Sequence, residues 1–289
     1  MKRAPQFSSL LMLVLCGGFP GNATTAEVKI TPDVVYGHKL GLAMTFDLFE
    51  PADANGAAVV FMVSGGWYSR WVPAEQSAGR FKPLTDKGFT VIAVRHGSSP
   101  KFSIPEAVSD VRRSIRYIRT HAERFKIDPK RIGVYGMSAG GHLSLVLGTT
   151  ADDGNANARD LVDRASSRVT AVVAFVAPSD LRIMVSEAKD RLPAYARYPA
   201  LTLDMKAAAT YSPLAHVSSD DAPTLLIAGD EDKLVPVSHS QNIAKAFAEQ
   251  KVTHKLMIVK GAGHGFRGDD LARSMDAMVV WFEEHLAKK

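Results

Sequence analysis

Long apolar runs are scarce in this sequence of 289 residues. Beyond the N-terminus no stretch reaches the ~18 consecutive apolar residues that a membrane-spanning helix needs, so we expect no span in the mature chain. Near the start, Lys2 and Arg3 precede a short apolar run at 10–15, and small residues continue to Ala26. This order is typical of a secretory signal peptide. The sequence predicts a signal peptide at residues 1–26 and a secreted or periplasmic protein, with a disordered or membrane-tethering N-terminus as the alternative.

Cysteine is almost absent, since Cys16 is the only one in the chain. Once the signal peptide is removed, no disulfide, thiolate nucleophile or cysteine metal site can form. A lipid anchor on Cys16 is not expected, because Leu15 stands where a lipobox has a small residue. Histidine, aspartate and glutamate form no group with the spacing of metal ligands. We therefore expect neither a metal nor another cofactor.

Net charge is also modest, at +5. The basic residues concentrate in one predicted helix at 106–125, where arginines alternate with apolar residues at steps of three and four. This spacing predicts an amphipathic helix whose basic face is solvated, rather than a surface that binds nucleic acid. The arginines are Arg112, Arg113, Arg116, Arg119 and Arg124.

Short apolar runs recur along the chain and alternate with helical patterns. A continuous run is typical of a strand buried on both faces of a parallel sheet, whereas residues 44–49 alternate as a half-buried strand does. We therefore predict an α/β fold for residues 27–289, a single domain with one open, mostly parallel sheet and helices on both faces. Ligands bind such sheets beyond the carboxyl ends of the strands. The continuous run lies at 57–63, and further strands are predicted at 89–94, 132–135, 169–176, 223–228 and 254–259.

Residues 181–212 interrupt this alternation. The segment is rich in tyrosine and proline, including Tyr195, Tyr198 and Pro199, and it predicts short helical pieces at most. We interpret it as a small insertion that caps the site.

The segment Gly-Met-Ser-Ala-Gly at 136–140 lies between a predicted strand and a predicted helix. It matches the G-x-S-x-G nucleophile elbow. A sharp strand-to-helix turn would lift the Ser138 hydroxyl out of the sheet, and the glycines let the two backbones approach closely. A glycine-rich turn with an idle serine is the alternative, but the strand–turn–helix context favours a nucleophile.

Two further groups follow strands, as Ser138 does. Asp232 comes directly after the run at 223–228, and His264 follows the last predicted strand. Imidazole has an ordinary pKa near ~6.5, so it can accept a serine proton near neutrality. A buried carboxylate on the other ring nitrogen would fix its tautomer. The chain order Ser138, Asp232, His264 is that of α/β-hydrolases.

Four motifs together resemble the α/β-hydrolases, in particular the carboxylesterase and prolyl-oligopeptidase-like branch that includes bacterial acetyl and feruloyl esterases. The resemblance covers about residues 34–287 and implies an α/β-hydrolase fold. In the family, the pattern Asp-x-x-Val-Pro marks the acid of the triad. The resemblance therefore implies that Asp232 is the acid, with Asp230 as the alternative. The motifs are Ser-Gly-Gly-Trp at 64–67, Gly-Met-Ser-Ala-Gly-Gly-His at 136–142, Gly-Asp-Glu-Asp-Lys-Leu-Val-Pro at 229–236 and Gly-Ala-Gly-His-Gly-Phe at 261–266.

The oxyanion loop departs from the family pattern, which reads His-Gly-Gly where this sequence has Ser64 and two glycines. Backbone N–H groups form such a hole, so the change does not abolish it. The resemblance implies Gly66, Trp67 and Ala139 as the donors. Because the family histidine helps to hold the loop, Ser64 puts its rigidity and the substrate preference in question.

Aromatic residues after the oxyanion motif and one loop histidine are predicted to bind substrate. These are Trp67, Tyr68 and His96, with Trp71 beside them. His142 lies one helical turn after Ser138, and we expect it to be packed near the elbow rather than catalytic. Asp180 is interpreted as a capping residue rather than a second acid.

These features predict a serine hydrolase of carboxylic esters (EC 3.1.1) that works through an acyl-enzyme. Its expected partner is a small-molecule or glycan-linked ester with a small acyl group, such as acetyl or feruloyl. An exopeptidase or amidase related to prolyl oligopeptidase is the alternative, and a non-catalytic binding protein is a weaker one. The sequence makes no prediction of the oligomeric state.

Overall fold

The computed structural model describes residues 27–287. The predicted signal peptide at 1–26 lies outside the described residues. Between Glu27 and Ala287, no helix is both long and apolar enough to cross a membrane.

Within residues 27–287, eight strands form one sheet in the order β1-β2-β4-β3-β5-β6-β7-β8. Strands β1 and β2 pair antiparallel, as do β2 and β4, and the remaining neighbours are all parallel. The predicted mostly parallel sheet is therefore confirmed. The strands are β1 Val28–Lys39, β2 Leu42–Pro51, β3 Ala58–Val63, β4 Thr90–Arg95, β5 Ile132–Met137, β6 Ala171–Phe175, β7 Thr224–Gly229 and β8 His254–Val259.

Helices cover both faces of this sheet, as two separate apolar clusters show. Consecutive residues of a strand point to opposite faces, so Val59 enters one cluster and Val60 the other. One cluster includes side chains of α1 and α6, and the other includes side chains of α2, α3 and α5. The helices are α1 Glu75–Thr85, α2 Ile104–Thr120, α3 Ala139–Thr149, α4 Met205–Thr210, α5 Ser238–Glu249 and α6 Gly268–His285.

The arginines of α2 are less solvated than the sequence predicts. Arg113 pairs with Asp160 and Asp163, and Arg116 pairs with Asp152. The basic face of α2 thus binds the segment that follows α3. Arg124, the fifth arginine of the helix predicted at 106–125, lies beyond the end of α2 at Thr120 and is exposed.

The inserted segment at 181–212 contains two short 3₁₀ helices, Pro193–Arg197 and Pro199–Leu201, followed by α4. Its buried apolar side chains, among them Tyr195 and Leu201, belong to the same cluster as those of α2 and α3. The segment is therefore packed into the fold and lies beside the end of the sheet where Ser138 sits.

Candidate active site

Ser138 occupies a strained turn between β5 and α3. Its φ is +54° and its ψ is −121°, a region that residues with a side chain rarely adopt. The neighbouring glycines make the turn possible. A Cβ on Gly136 would lie 2.3 Å from the Gly140 carbonyl carbon, and one on Gly140 would lie 2.6 Å from the Met62 carbonyl oxygen. The elbow therefore needs glycine at both positions.

Ser138, His264 and Asp232 form one hydrogen-bonded line. The distance from His264 Nε2 to Ser138 Oγ is 2.9 Å, and that from His264 Nδ1 to Asp232 Oδ2 is 2.7 Å. The Asp232 side chain is fully buried, and its Oδ1 accepts hydrogen bonds from the N–H groups of Leu234 and Val235. These bonds fix the carboxylate, which accepts a hydrogen bond from the His264 Nδ1–H group. His264 Nε2 is then free to accept the Ser138 hydroxyl proton.

The other two aspartates considered from the sequence are engaged elsewhere. Asp230 is exposed, and its Oδ1 accepts from the Gly261 N–H at 2.6 Å. Asp180 forms an ion pair with Arg182 and accepts from the Arg182 N–H. Only Asp232 of the three reaches His264 in the described part of the chain.

The predicted oxyanion loop is a tight turn. Gly65 and Tyr68 exchange two backbone hydrogen bonds of 3.0 Å, and the two residues between them have φ values of +57° and +58°. This is the geometry of a type I′ turn. The N–H groups of Gly66 and Trp67 donate to no acceptor within residues 27–287. The Ala139 N–H opens α3, where it has no acceptor inside the helix.

In the family pattern a histidine within this loop helps to hold it, whereas here the loop is held by a histidine from elsewhere in the chain. His96 Nδ1 lies 2.8 Å from the Gly97 carbonyl, so it donates there, and the Ser64 hydroxyl donates to His96 Nε2 at 2.8 Å. Burial lowers the pKa of His96, which favours this neutral form. The prediction that His96 lines the substrate pocket is therefore corrected. His96 is buried behind the loop and is absent from the lining of both cavities at Ser138.

A second histidine fixes the loop from the side of α3. The indole Nε1–H of Trp67 donates to His142 Nδ1 at 3.2 Å, and His142 Nε2 donates to the Tyr211 carbonyl at 2.8 Å. Because an indole N–H can only donate, this contact determines the tautomer of His142. His142 is fully buried, as predicted for a packed residue. It connects the turn at Gly65–Tyr68, helix α3 and the inserted segment.

Two cavities meet at Ser138. The smaller, about 20 Å³, is mostly apolar and is lined by Trp67, Met184 and Tyr195 among others. The larger, about 460 Å³, is open to solvent and includes Tyr68 and His264. Trp67 and Tyr68 thus line the cavities beside Ser138, and their binding of substrate stays a prediction. Trp71 instead donates to Asp33 and lines neither cavity.

Two residues of the larger cavity, Arg70 and Arg80, were not predicted from the sequence. Arg70 lies in the loop after the oxyanion turn, and Arg80 lies on α1. No local pattern marks them as site residues. A weak signal was available for Arg70, which stands four positions after Gly66.

Comparison with known proteins identifies the family of this chain. Residues 46–247 match the BD-FAE family. The chain belongs to the BD-FAE family. The match contains the elbow serine and Asp232, while His264 lies beyond its end.

Relatives of this BD-FAE chain include named esterases. It is 28% identical over 225 residues to the probable carboxylic ester hydrolase LipM of Mycobacterium tuberculosis, a match that covers 75% of this chain and 51% of LipM. It is 27% identical over 265 residues to ethyl acetate hydrolase of Pseudomonas putida, covering 82% of this chain and 74% of that enzyme. The chain spans about half the length of LipM.

Solved structures support the same placement. A truncated form of a carbohydrate esterase from gut microbiota is 27% identical, with a TM-score of 0.76 over 93% of this BD-FAE chain and 100% of that chain. The α/β-hydrolase fold predicted from the motifs is confirmed.

We expect the buried histidines to make stability depend on pH. Burial lowers the pKa of His142 and of His239 to about 4, whereas an unfolded histidine titrates near ~6.5. Their contribution is therefore fully present above pH ~6.5 and is lost as the pH falls through about 4. Asp221 acts in the opposite sense, because burial raises its pKa to about 6, so it offsets part of the loss.

Urea unfolding at several pH values between 7 and 5 measures this effect. Each buried histidine should contribute a slope of up to ~1.4 kcal/mol per pH unit in the free energy of unfolding. The His142→Gln variant keeps an acceptor for Trp67 and a donor for the Tyr211 carbonyl, so its slope should be shallower by about that amount. Equal slopes in the parent and the variant would contradict the assignment.

Proposed function

We propose that this protein is a serine hydrolase that cleaves carboxylic esters of small acyl groups. The observation that carries the proposal is the line of hydrogen bonds from Ser138 through His264 to buried Asp232. This hydrogen-bonded line lies beside the free N–H groups of the oxyanion turn. The relatives named as esterases support the same reaction class.

In the first half of the reaction, Ser138 Oγ attacks the acyl carbon while His264 Nε2 takes its proton. Asp232 holds the ring and stabilises the imidazolium that forms. The negative charge on the carbonyl oxygen is stabilised by the N–H groups of Gly66, Trp67 and Ala139. His264 then gives the proton to the departing alcohol. In the second half, water attacks the acyl-enzyme with His264 as the base, which regenerates Ser138.

The two cavities suggest where each part of the substrate binds. His264 lines the larger cavity and is absent from the lining of the smaller one. Since His264 must reach the leaving oxygen, the alcohol lies in the larger cavity and the acyl chain in the smaller. A volume of about 20 Å³ accepts one group of roughly the size of a water molecule. This favours acetyl over longer acyl groups and over feruloyl.

Export is part of the proposal and rests on the order of residues in 1–26. Lys2 and Arg3, the apolar run and the small residues before Glu27 are the features that support it. We propose that the enzyme acts outside the cytoplasm on soluble or glycan-linked acetyl esters. The similarity to a carbohydrate esterase is in keeping with a glycan substrate.

Acyl preference tests this proposal. We expect kcat/KM for 4-nitrophenyl acetate to exceed that for the butyrate by about tenfold or more, because two further methylenes do not fit the small cavity. The Met184→Ala variant enlarges that cavity and should raise the butyrate-to-acetate ratio by about tenfold. Initial rates measured at matched substrate concentrations give both ratios.

Met257→Ala is the matched control, because Met257 lies on β8 and lines neither cavity. It should keep the parent ratio. Hydrolysis of neither ester by the parent would overturn the proposed function. A parent that prefers butyrate would overturn only the assignment of the acyl cavity.

A further inference from the structure

The larger cavity at Ser138 carries a positive charge without a carboxylate to balance it. Arg70 and Arg80 contribute to its lining, and no aspartate or glutamate does so among the described residues. Neither arginine takes part in an ion pair or a side-chain hydrogen bond within residues 27–287. Eleven of the other fifteen arginines within residues 27–287 form an ion pair or donate a side-chain hydrogen bond. Two free guanidinium groups therefore face the space next to the catalytic serine.

The guanidinium group of Arg80 lies over an aromatic ring. Its Cζ lies 5.4 Å from the centre of the Phe61 ring, and Phe61 packs in turn against Phe81 and Tyr135 at 5.6 and 4.9 Å. Stacking on a ring engages the face of a guanidinium and leaves its N–H edge available. Such an edge binds a planar anion through two parallel hydrogen bonds.

The same two arginines also line a neighbouring cavity of about 160 Å³ that reaches Arg95. Arg95 is not available there, because it is buried and bonded to Asp47 and Asp33. The two free cations of this surface are thus Arg70 and Arg80.

We propose that the preferred substrates are acetyl esters of an anionic alcohol, a saccharide that carries a carboxylate. The proposal rests on the proposed function, in which the alcohol occupies the larger cavity beside His264. Arg70 and Arg80 bind the carboxylate of the leaving saccharide while Ser138 takes the acetyl group. They determine specificity and take no part in the bond-breaking steps. A sulfate group would present the same anionic chemistry, and the test separates the two.

The experiment measures acetate release from matched substrates. The first is a monoacetylated methyl glucuronoside, and the second is the same compound with its carboxyl group converted to the primary amide. We expect the parent to prefer the anionic compound in kcat/KM. In the double variant Arg70→Gln/Arg80→Gln the anionic-to-neutral ratio should fall by about tenfold, since each exposed contact is worth a factor of up to about five. In the parent the ratio should also fall as salt is raised.

Arg124→Gln is the matched control. Arg124 is exposed and its Cζ lies 5.5 Å from the centre of the Phe125 ring, so the change removes the same charge from the same kind of contact. Phe125 is near Thr90 at the amino end of β4, away from Ser138. This variant should keep the parent ratio.

The outcomes of this experiment test the anionic preference and the proposed ester hydrolysis separately. An unchanged ratio in the double variant, or no acetate from either saccharide by an enzyme that hydrolyses 4-nitrophenyl acetate, would overturn the anionic preference alone. Failure on every ester would overturn the proposed function. A third substrate, a monoacetylated methyl glucoside 6-sulfate, distinguishes the anions: faster release from it than from the glucuronoside would overturn the assignment to a carboxylate.

Discussion

Replacing Ser138 by alanine is expected to lower kcat for 4-nitrophenyl acetate by about 10⁴- to 10⁶-fold, the range found when the nucleophile of such a triad is removed. Without Oγ no acyl-enzyme can form, and the remaining groups can only assist direct attack by water. The change removes one Oγ, from a half-buried residue, whose hydrogen bond is to His264, so the fold should be kept. Initial rates, the burst of nitrophenol and the thermal midpoint measure these effects.

A second serine of the same helix provides the control. Ser144 is buried, and its hydroxyl bonds to the Gly140 carbonyl at 2.9 Å, so Ser144→Ala removes an Oγ without touching the reacting atoms. This variant should retain activity within a few-fold. If Ser138→Ala kept more than about 1% of the parent kcat with an unchanged fold, the acyl-enzyme route would be wrong.

The Asp232→Asn variant should lower kcat by about 10⁴-fold, the size of the loss found for the acid of comparable triads. The side-chain amide is isosteric but can present its N–H₂ group to His264 Nδ1. The ring would then take the other tautomer, with its proton on Nε2, and could not accept the proton of Ser138. The loss of charge also removes the stabilisation of the imidazolium. Single-turnover and steady-state rates at pH 7 to 9 separate these effects from a change in substrate binding.

Asp230→Asn is the matched control, two residues away in the same loop. Asp230 is exposed and bonds to the Gly261 N–H rather than to the histidine. Its replacement should change kcat by less than about threefold, as usual for surface substitutions. A large loss in this variant and a small one in Asp232→Asn would reverse the assignment of the acid.

Much of the sheet could be predicted from local sequence, because strands buried on both faces leave continuous apolar runs. The run at 57–63 nearly coincides with β3, and that at 89–94 with β4, whose residues are all buried. Strand β1 was missed for an equally physical reason. It is an edge strand whose pairing with β2 shifts register between Thr31 and Val34 and again between Val35 and Gly37. Each irregularity breaks the alternation by which a half-buried strand is found.

Like the sheet, the candidate site has features that local sequence predicts and others that only the structure shows. The elbow is determined locally, because only glycine fits at positions 136 and 140 and the motif has a fixed spacing. The order Ser138, Asp232, His264 is likewise visible in the sequence. The choice between Asp232 and Asp230 had only a family pattern behind it, and the structure decides it through one contact with His264.

Only the tertiary structure shows what holds the oxyanion turn and what surrounds the substrate. Ser64 meets His96 across 32 residues and Trp67 meets His142 across 75, and no local pattern encodes such distant pairs. Arg70 and Arg80 share a cavity with Ser138 because the crossings of a parallel sheet bring its carboxyl ends to one edge. The sequence determined the elements and the reactive groups, since these depend on the order of neighbouring side chains. Packing between elements far apart in the chain determined which residues hold the oxyanion turn and which residues surround the substrate.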